Sequence, residues 1–369
     1  MPRIPDEIVE RVRERSDIVE IVSQYVTLKR AGRNFKGLSP FNNEKTPSFV
    51  VSPDKQIFNC FSSGIGGNVF TFVMQMERVE FPDAVRLLAR KHGIEIPEDQ
   101  QGAGGTENKL REQIFAANNQ AAEYYHELLL ADSGAEVGRA RDYLKNRGVS
   151  LETVKNFRLG FALDRWDGLI RCLQDKNVPL RVMEQAGLIK ARQNKEGYYD
   201  CFRNRIIFPI TDNQGRVRAF GARALDNEGA KYINSPETAV YTKGDHVYGF
   251  DVAKSVVTQE DMVVIVEGYM DCVIPQQAGF RNIVASLGTA LTQQQVRNIR
   301  RFTRNVVMLY DNDKAGEAAM IRSFDLLIEE GMEVKVASLA PGEDPDSYIR
   351  KHGVEAFRER IDAALELFE

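Results

Sequence analysis

Three carboxylates at the ends of two apolar runs carry the clearest chemistry in this 369-residue chain. Met262-Val263-Val264-Ile265-Val266 leads into Glu267-Gly268, and Val306-Val307-Met308-Leu309-Tyr310 leads into Asp311-Asn312-Asp313. A continuous Val/Ile/Leu run of this length predicts a strand buried on both faces, as in a parallel sheet. Acids just past such strands stand at the carboxyl edge, where open α/β sheets place their ligands. Asp311 and Asp313, two apart on an extended segment, point the same way. Carboxylates gathered at one place repel one another and take up protons unless a cation neutralises them. An all-oxygen cluster suits Mg²⁺ (or Mn²⁺), which keeps several waters and also binds phosphates. The expected chemistry is metal-dependent phosphoryl transfer.

The elements that must position these acids follow from the periodicity around them. Helical stretches are predicted at 270–278 and 315–330, and apolar strands at 282–286 and 334–339. Thr292 and Gln295 have capping-box spacing at the start of a further helix. Strands alternating with helices predict a four-stranded parallel sheet with right-handed crossovers. The loop after the fourth strand adds Asp344 and Asp346 on the same edge. Three stretches together resemble the Toprim domain of topoisomerases and primases. They are Glu267-Gly268-Tyr269-Met270-Asp271, Asp311-Asn312-Asp313-Lys314-Ala315-Gly316 and Asp344-Pro345-Asp346. The resemblance implies catalytic metal binding by Glu267 and Asp311 at one ion and Asp313 at a second, with Asp344 and Asp346 in support. Toprim alone leaves polymerase, topoisomerase and nuclease open.

The upstream sequence narrows the choice. Phe202-Arg203-Asn204-Arg205-Ile206-Ile207-Phe208-Pro209-Ile210, a turn at Gln214-Gly215, and Ala219-Phe220-Gly221-Ala222-Arg223 read as a β-rich stretch with cations at its turns. With Lys231-Tyr232-Ile233-Asn234, Lys243-Gly244, Tyr143-Leu144-Lys145-Asn146-Arg147-Gly148 and Phe157-Arg158-Leu159-Gly160, it resembles the catalytic core of bacterial replicative primases of the DnaG type. That resemblance implies that Arg147, Arg203, Asn204, Arg205, Arg223, Lys231, Tyr232 and Lys243 bind nucleotide and nucleic acid. The partners implied are a single-stranded DNA template, ribonucleoside triphosphates and the RNA–DNA duplex. The activity implied is synthesis of short RNA primers. The alternatives are a Toprim nuclease or topoisomerase, or a non-catalytic single-strand-binding relative. A replicative helicase is expected as partner only through a C-terminal domain absent from this chain.

The first hundred residues resemble the zinc ribbon that opens such primases. The matching stretches are Gly37-Leu38-Ser39-Pro40-Phe41-Asn42 with Glu44-Lys45-Thr46-Pro47-Ser48-Phe49, and Phe58-Asn59-Cys60-Phe61-Ser62-Ser63-Gly64. The resemblance implies Cys, His, Cys and Cys at four zinc-site positions, which here hold Ser39, Asn42, Cys60 and Ser63. Structural zinc is held by thiolate and imidazole, so zinc is expected to be absent. Without it the segment must rely on apolar residues, and Phe35, Phe41, Phe49, Phe58, Phe61, Phe70 and Phe72 are read mainly as a compensating core.

The whole reads as a multidomain α+β chain. A degenerate ribbon is expected at 1–97, a flexible Gly-rich linker at 98–108, and a basic mixed α/β subdomain at 109–258. The α/β Toprim domain follows at 259–342, and the start of a helical subdomain at 343–369. A net charge of −4 places nucleic-acid binding on local patches. One candidate is the helix face carrying Arg297, Arg300, Arg301 and Arg304. Four scattered cysteines and no long apolar span predict a cytoplasmic protein away from membranes.

Overall fold

The computed structural model describes residues 4–42, 44–96, 103–193, 196–226, 229–287, 290–310, 314–340 and 342–366. The chain forms two compact units, Met1–Thr106 and Glu107–Glu369.

The first unit opens with α1 (Asp6–Arg15) and α2 (Ile18–Ser23). Asp17 caps α2 by accepting the Val19 and Glu20 amides, the usual role of a short acid at this position. A five-stranded antiparallel meander follows: β1 (Lys29–Ala31), β2 (Asn34–Gly37), β3 (Phe49–Ser52), β4 (Ile57–Cys60) and β5 (Gly66–Gly67). Helices α3 (Val69–Glu77) and α4 (Phe81–Lys91) close the unit. Alternation along β3 and β4 turns Phe49, Val51, Phe58 and Cys60 inward. Phe49 stacks on Phe58 at 5.3 Å, Phe72 meets Phe58 edge-on at 5.4 Å, and Phe41 lies 5.9–6.3 Å from all three. The phenylalanines are therefore mainly core. Phe61 is the exception, at 71% exposure.

The second unit begins with α5 (Ala103–Ala131). This helix starts inside the stretch expected to be a flexible linker. Once a downstream helix is nucleated, each preceding residue adds a hydrogen bond, and a glycine opposes that by only about 1 kcal/mol. Residues 98–102, the rest of that expectation, lie outside the described residues. Then come α6 (Ala135–Asn146), α7 (Leu151–Asn156), β6 (Gly160–Ala162), α8 (Gly168–Asp175) and α9 (Leu180–Gln185). The hairpin β7 (Ile189–Ala191) and β8 (Tyr198–Asp200) precedes β9 (Arg205–Thr211), β10 (Val217–Ala224) and β11 (Tyr232–Asn234). Strands β11-β10-β9-β6 make an antiparallel sheet in that order.

A 3-10 turn (Lys243–Asp245) and α10 (Phe250–Glu260) lead into the second sheet. Its elements are β12 (Val263–Val266), α11 (Tyr269–Gln277), β13 (Ile283–Ala285), α12 (Gln293–Arg300), β14 (Asn305–Met308), α13 (Lys314–Glu329), β15 (Glu333–Val336), α14 (Pro345–Asp362) and β16 (Leu365–Glu366). The order is β13-β12-β14-β15-β16, with the first four strands parallel as expected. The capping box at Thr292 and Gln295 is present.

In the stretch 343–369, expected to start a helical subdomain, α14 packs on α11, with Phe357 edge-on to Phe280 at 5.1 Å, and stops at Asp362. Leu365 then pairs antiparallel with Val336 on β15. An open sheet edge carries unpaired backbone groups, and this pairing satisfies some of them. One buried core joins both sheets of the unit, running from Leu144 through Phe161 and Phe208 to Tyr269, Phe280 and Phe357.

Candidate metal and nucleic-acid site

Glu267 follows β12, which lies beside β14 with Ile265 opposite Met308. The Leu309 amide donates to the Ile265 carbonyl at 2.9 Å. Continued by two residues, this register sets Glu267 level with Tyr310. Burial raises the Tyr310 phenol above its ordinary pKa, and the Glu267 charge adds to the effect. Glu267 thus stands beside the strand end that leads into Asp311. Asp311 and Asp313 themselves lie outside the described residues. Asp344 caps α14, accepting the Ser347 amide at 2.7 Å. Burial works to raise its pKa, but the Ser347 hydrogen bonds outweigh it and the net shift is downward. Asp346 is fully buried and pairs with Arg147 and, at 2.7 Å, with Arg350. Burial still leaves its pKa raised against both cations. Of the two supporting acids, one is thus a helix cap and the other holds Arg147.

Tyr269, the first residue of α11, ties this edge to the basic sheet. Its ring stacks on Phe208 at 4.8 Å, meets Tyr248 edge-on at 4.8 Å and lies 5.9 Å from Tyr232. Its hydroxyl donates to Asn234 Oδ1 at 2.6 Å. Gly221, opposite Asn234 across the β10–β11 pair, supplies the room, because a Cβ there would fall on the Tyr269 phenol. Gly221→Ala should therefore cost about 1–3 kcal/mol of overpacking. The urea midpoint of the second unit should fall, and Tyr269→Ala in the same chain should recover part of it. An unchanged midpoint in Gly221→Ala would show that the phenol is not a fixed wedge.

The basic candidates fall into two groups. In the first, Arg223 donates to the Tyr232 hydroxyl at 3.0 Å and its guanidinium lies 4.9 Å from the Tyr143 ring centre. Arg147, just past α6, pairs with Asp346, and its charge acts on both Tyr143 and Tyr232. Among the described residues, Arg147 Nε, Arg223 Nε and Tyr143 Oη are buried without a hydrogen-bond partner. In the second group, Arg203 lies 4.1 Å over the Trp166 ring and 5.3 Å from that of Tyr199. Asp200 fixes this group by accepting the Leu169 and Ile170 amides at the start of α8, while its own amide donates to the Trp166 carbonyl. Trp166 nevertheless stays 57% exposed.

The remaining candidates surround these groups. Asn204 adopts a left-handed φ of 48°, which asparagine tolerates, and its amide donates to Asp226. Arg205 Nη1 donates to the Ala230 carbonyl at 2.9 Å, and Lys231 is exposed beside β11. The Lys243 turn is pinned by α12 side chains: Thr292 donates to the Gly244 carbonyl, Asn298 to Asp245 and Gln295 to His246. Sequence reasoning missed Trp166 and Tyr199, although the chain has only one tryptophan. Of the arginine face on α12, Arg297 and Arg300 pair with Glu330.

At the zinc-site positions, Cys60 Sγ lies 3.1 Å from Ser39 Oγ and 3.4 Å from Ser62 Oγ. Ser39 Oγ accepts the Phe41 and Asn42 amides, and Ser63 Oγ accepts the Ile65 amide. Among the described residues, no three His, Cys, Asp or Glu side chains converge as a metal-holding group.

Three family models match the chain: a CHC2 zinc finger over residues 4–103, a DNA primase catalytic core N-terminal domain over 124–254, and a Toprim-like domain over 264–349. The DNA primase of Halalkalibacterium halodurans is 42% identical over 359 residues, covering 97% of this chain and 59% of the relative. The chain thus spans about six-tenths of the length of that curated relative. The zinc-binding and RNA polymerase domains of Aquifex aeolicus primase superpose with a TM-score of 0.66 at 35% identity, covering 98% of this chain and 86% of that one. A DnaG primase catalytic domain bound to single-stranded DNA superposes with a TM-score of 0.64 at 34% identity, covering 70% and 80%. A ribbon, a basic sheet and a Toprim sheet in this order define a primase-type nucleic-acid protein. The chain belongs to the DnaG-type family of bacterial DNA primases.

The ribbon fold matches its family, but its donor set does not fit structural zinc. One thiol, two hydroxyls and an amide replace the thiolates and imidazole that such a site uses.

Proposed function

We propose that this chain synthesises short RNA primers on a single-stranded DNA template. The observation that carries the reading is the Arg147–Arg223–Tyr143 group beside the Toprim edge, in which Arg147 Nε, Arg223 Nε and Tyr143 Oη are buried without partners among the described residues. Buried unpaired donors of this kind are costly unless an anion meets them. Guanidinium forks match phosphate oxygens in pairs, so the incoming ribonucleoside triphosphate is the fitting anion.

In the proposed reaction the primer 3′-hydroxyl attacks the α-phosphorus, the bond to the β-phosphate oxygen breaks, and pyrophosphate leaves while the hydroxyl proton passes to solvent. Glu267, Asp311 and Asp313 would hold Mg²⁺ (or Mn²⁺), which when bound stabilises charge on the entering and leaving oxygens. Arg223, held over Tyr143 and Tyr232, orients the phosphates. Tyr269 packs beside Tyr232, the hydrogen-bond partner of Arg223. Trp166, backed by Arg203, offers an exposed ring on which a template base can stack.

This last role has a direct test. Trp166→Ala should weaken single-stranded DNA binding about tenfold or more, in keeping with about 1–3 kcal/mol per stacked base. Arg203→Ala should also reduce the salt dependence by about one charge. Fluorescence anisotropy across salt concentrations reads both, and unchanged binding in the two variants would remove the platform. Among the described residues no helix is long and apolar enough to cross a membrane, and we propose a cytoplasmic site of action. We also propose that the ribbon folds without zinc.

A further inference from the structure

We propose that the Glu44 carboxylate, with the hydroxyls of Ser39, Ser48 and Ser62, does in this ribbon what a metal ion does in a zinc ribbon. A zinc ribbon is closed by one ion that ties two turns together, drawing two ligands from each. The two turns here are the β2–β3 loop, which carries Ser39, Glu44 and Ser48, and the β4–β5 turn, which carries Ser62 and Ser63 after Cys60.

Glu44 gathers the first turn. One of its oxygens accepts the Ser39 amide at 2.7 Å and the Ser48 amide at 3.1 Å. The Ser48 hydroxyl reaches both of its oxygens, at 2.8 and 2.7 Å. Two contacts then cross to the second turn. Ser48 Oγ and Ser62 Oγ are 2.8 Å apart, and Ser39 Oγ and Cys60 Sγ are 3.1 Å apart. A hydroxyl has one proton, so Ser48 donates to one acceptor at a time, a Glu44 oxygen or the Ser62 hydroxyl, and the ionised carboxylate is the stronger of the two.

Charge is what makes the carboxylate a fitting substitute. Hydrogen bonds to an ionised acceptor are about twice as strong as neutral ones, and a carboxylate offers about four acceptor positions. The Ser48 hydroxyl, foremost, holds the Glu44 carboxyl below its ordinary pKa. The same hydroxyls act on the one thiol that remains. Burial works to raise the Cys60 pKa, but hydrogen bonds from Ser39, Ser62 and Ser63 outweigh it and bring it down to about 7. Phe41, between Ser39 and Glu44, anchors the same loop in the Phe49–Phe58–Phe72 stack. A polar clasp and an aromatic plug therefore act on one loop.

The inference rests on the zinc-free reading of the ribbon, and the two are tested separately. Metal analysis of the purified full chain tests the reading: substoichiometric zinc is expected, and one zinc per chain would overturn both. Hydrogen exchange of the full chain, followed in peptides from β3 and β4, tests the clasp. A chelator should leave that exchange unchanged. Glu44→Gln, which keeps the shape and removes the charge, should speed it at least about tenfold. Exchange within twofold of the unaltered chain would overturn the clasp while leaving the zinc-free reading standing.

A third arm asks whether clasp and metal are interchangeable. The triple change Ser39→Cys, Asn42→His and Ser63→Cys should take up about one zinc per chain and make exchange sensitive to chelator. In that zinc-loaded background Glu44→Gln should speed exchange by much less than tenfold. A triple variant that takes no zinc, or one in which Glu44→Gln costs as much as before, would overturn the substitution.

Discussion

Changing Glu267 to Gln, or Asp311 to Asn, should lower primer synthesis by at least about 10³-fold, corresponding to several kcal/mol of lost transition-state stabilisation. Glu267 stands at the carboxyl end of a strand buried along its whole length, beside the strand that leads into Asp311. A side chain so placed lies at the sheet's carboxyl edge, past the buried run of β12. The fold should therefore survive the change. Gathered carboxylates repel in the absence of a cation, so the metal-free variant should be as stable as the unaltered chain or slightly more so. What should disappear is the rise in melting temperature that Mg²⁺ gives by binding the native state. Primer assays and melting curves with and without Mg²⁺ separate these effects. Synthesis within tenfold of normal, with an intact Mg²⁺ response, would dismiss Glu267 as a ligand.

The second large effect is expected in the ribbon. Phe58 is 2% exposed and packs against Phe41, Phe49 and Phe72. Phe58→Ala should cost about 3–5 kcal/mol, a large part of the roughly 5–15 kcal/mol that holds a domain folded. On the proposed zinc-free reading, such a unit would have little reserve against that loss. Limited proteolysis should then cleave within residues 4–96 while the second unit resists. Phe61→Ala, at an exposed position of the same segment, should stay within about 0.5 kcal/mol. Equal protease sensitivity of the two variants would refute the division of these phenylalanines into core and surface.

Much of the second sheet was legible because its signals are local. The apolar runs before Glu267 and Asp311, the Thr292 cap and the strand–helix alternation each depend on neighbours within a few residues. The ribbon's phenylalanines were legible as core for a similar reason, since two of its strands alternate cleanly. Features joining distant residues were not. Nothing in the sequence around Tyr269 indicates that its hydroxyl meets Asn234, or that Gly221 is small to admit its ring. The pairing of Asp346 with Arg147 was hidden in the same way. The N-terminal start of α5 and the final strand were missed for a different reason. Gly104-Gly105 and the short Leu365–Glu366 segment have weak local preferences, and their structure comes from an adjoining helix and an adjoining sheet edge.

The core that passes from Leu144 through Phe208 and Tyr269 to Phe357 belongs to neither sheet alone. A protein whose two sheets had separate cores could lose one by fluctuation and keep the other. Here an opening that exposes the inner face of β9 also strips Tyr269 and the start of α11 of their neighbours. Partial unfolding of the basic sheet thus exposes part of the second sheet's core as well. The cations of one sheet and the carboxylates of the other are accordingly lost together or kept together, and half-folded molecules carrying only one set should be scarce.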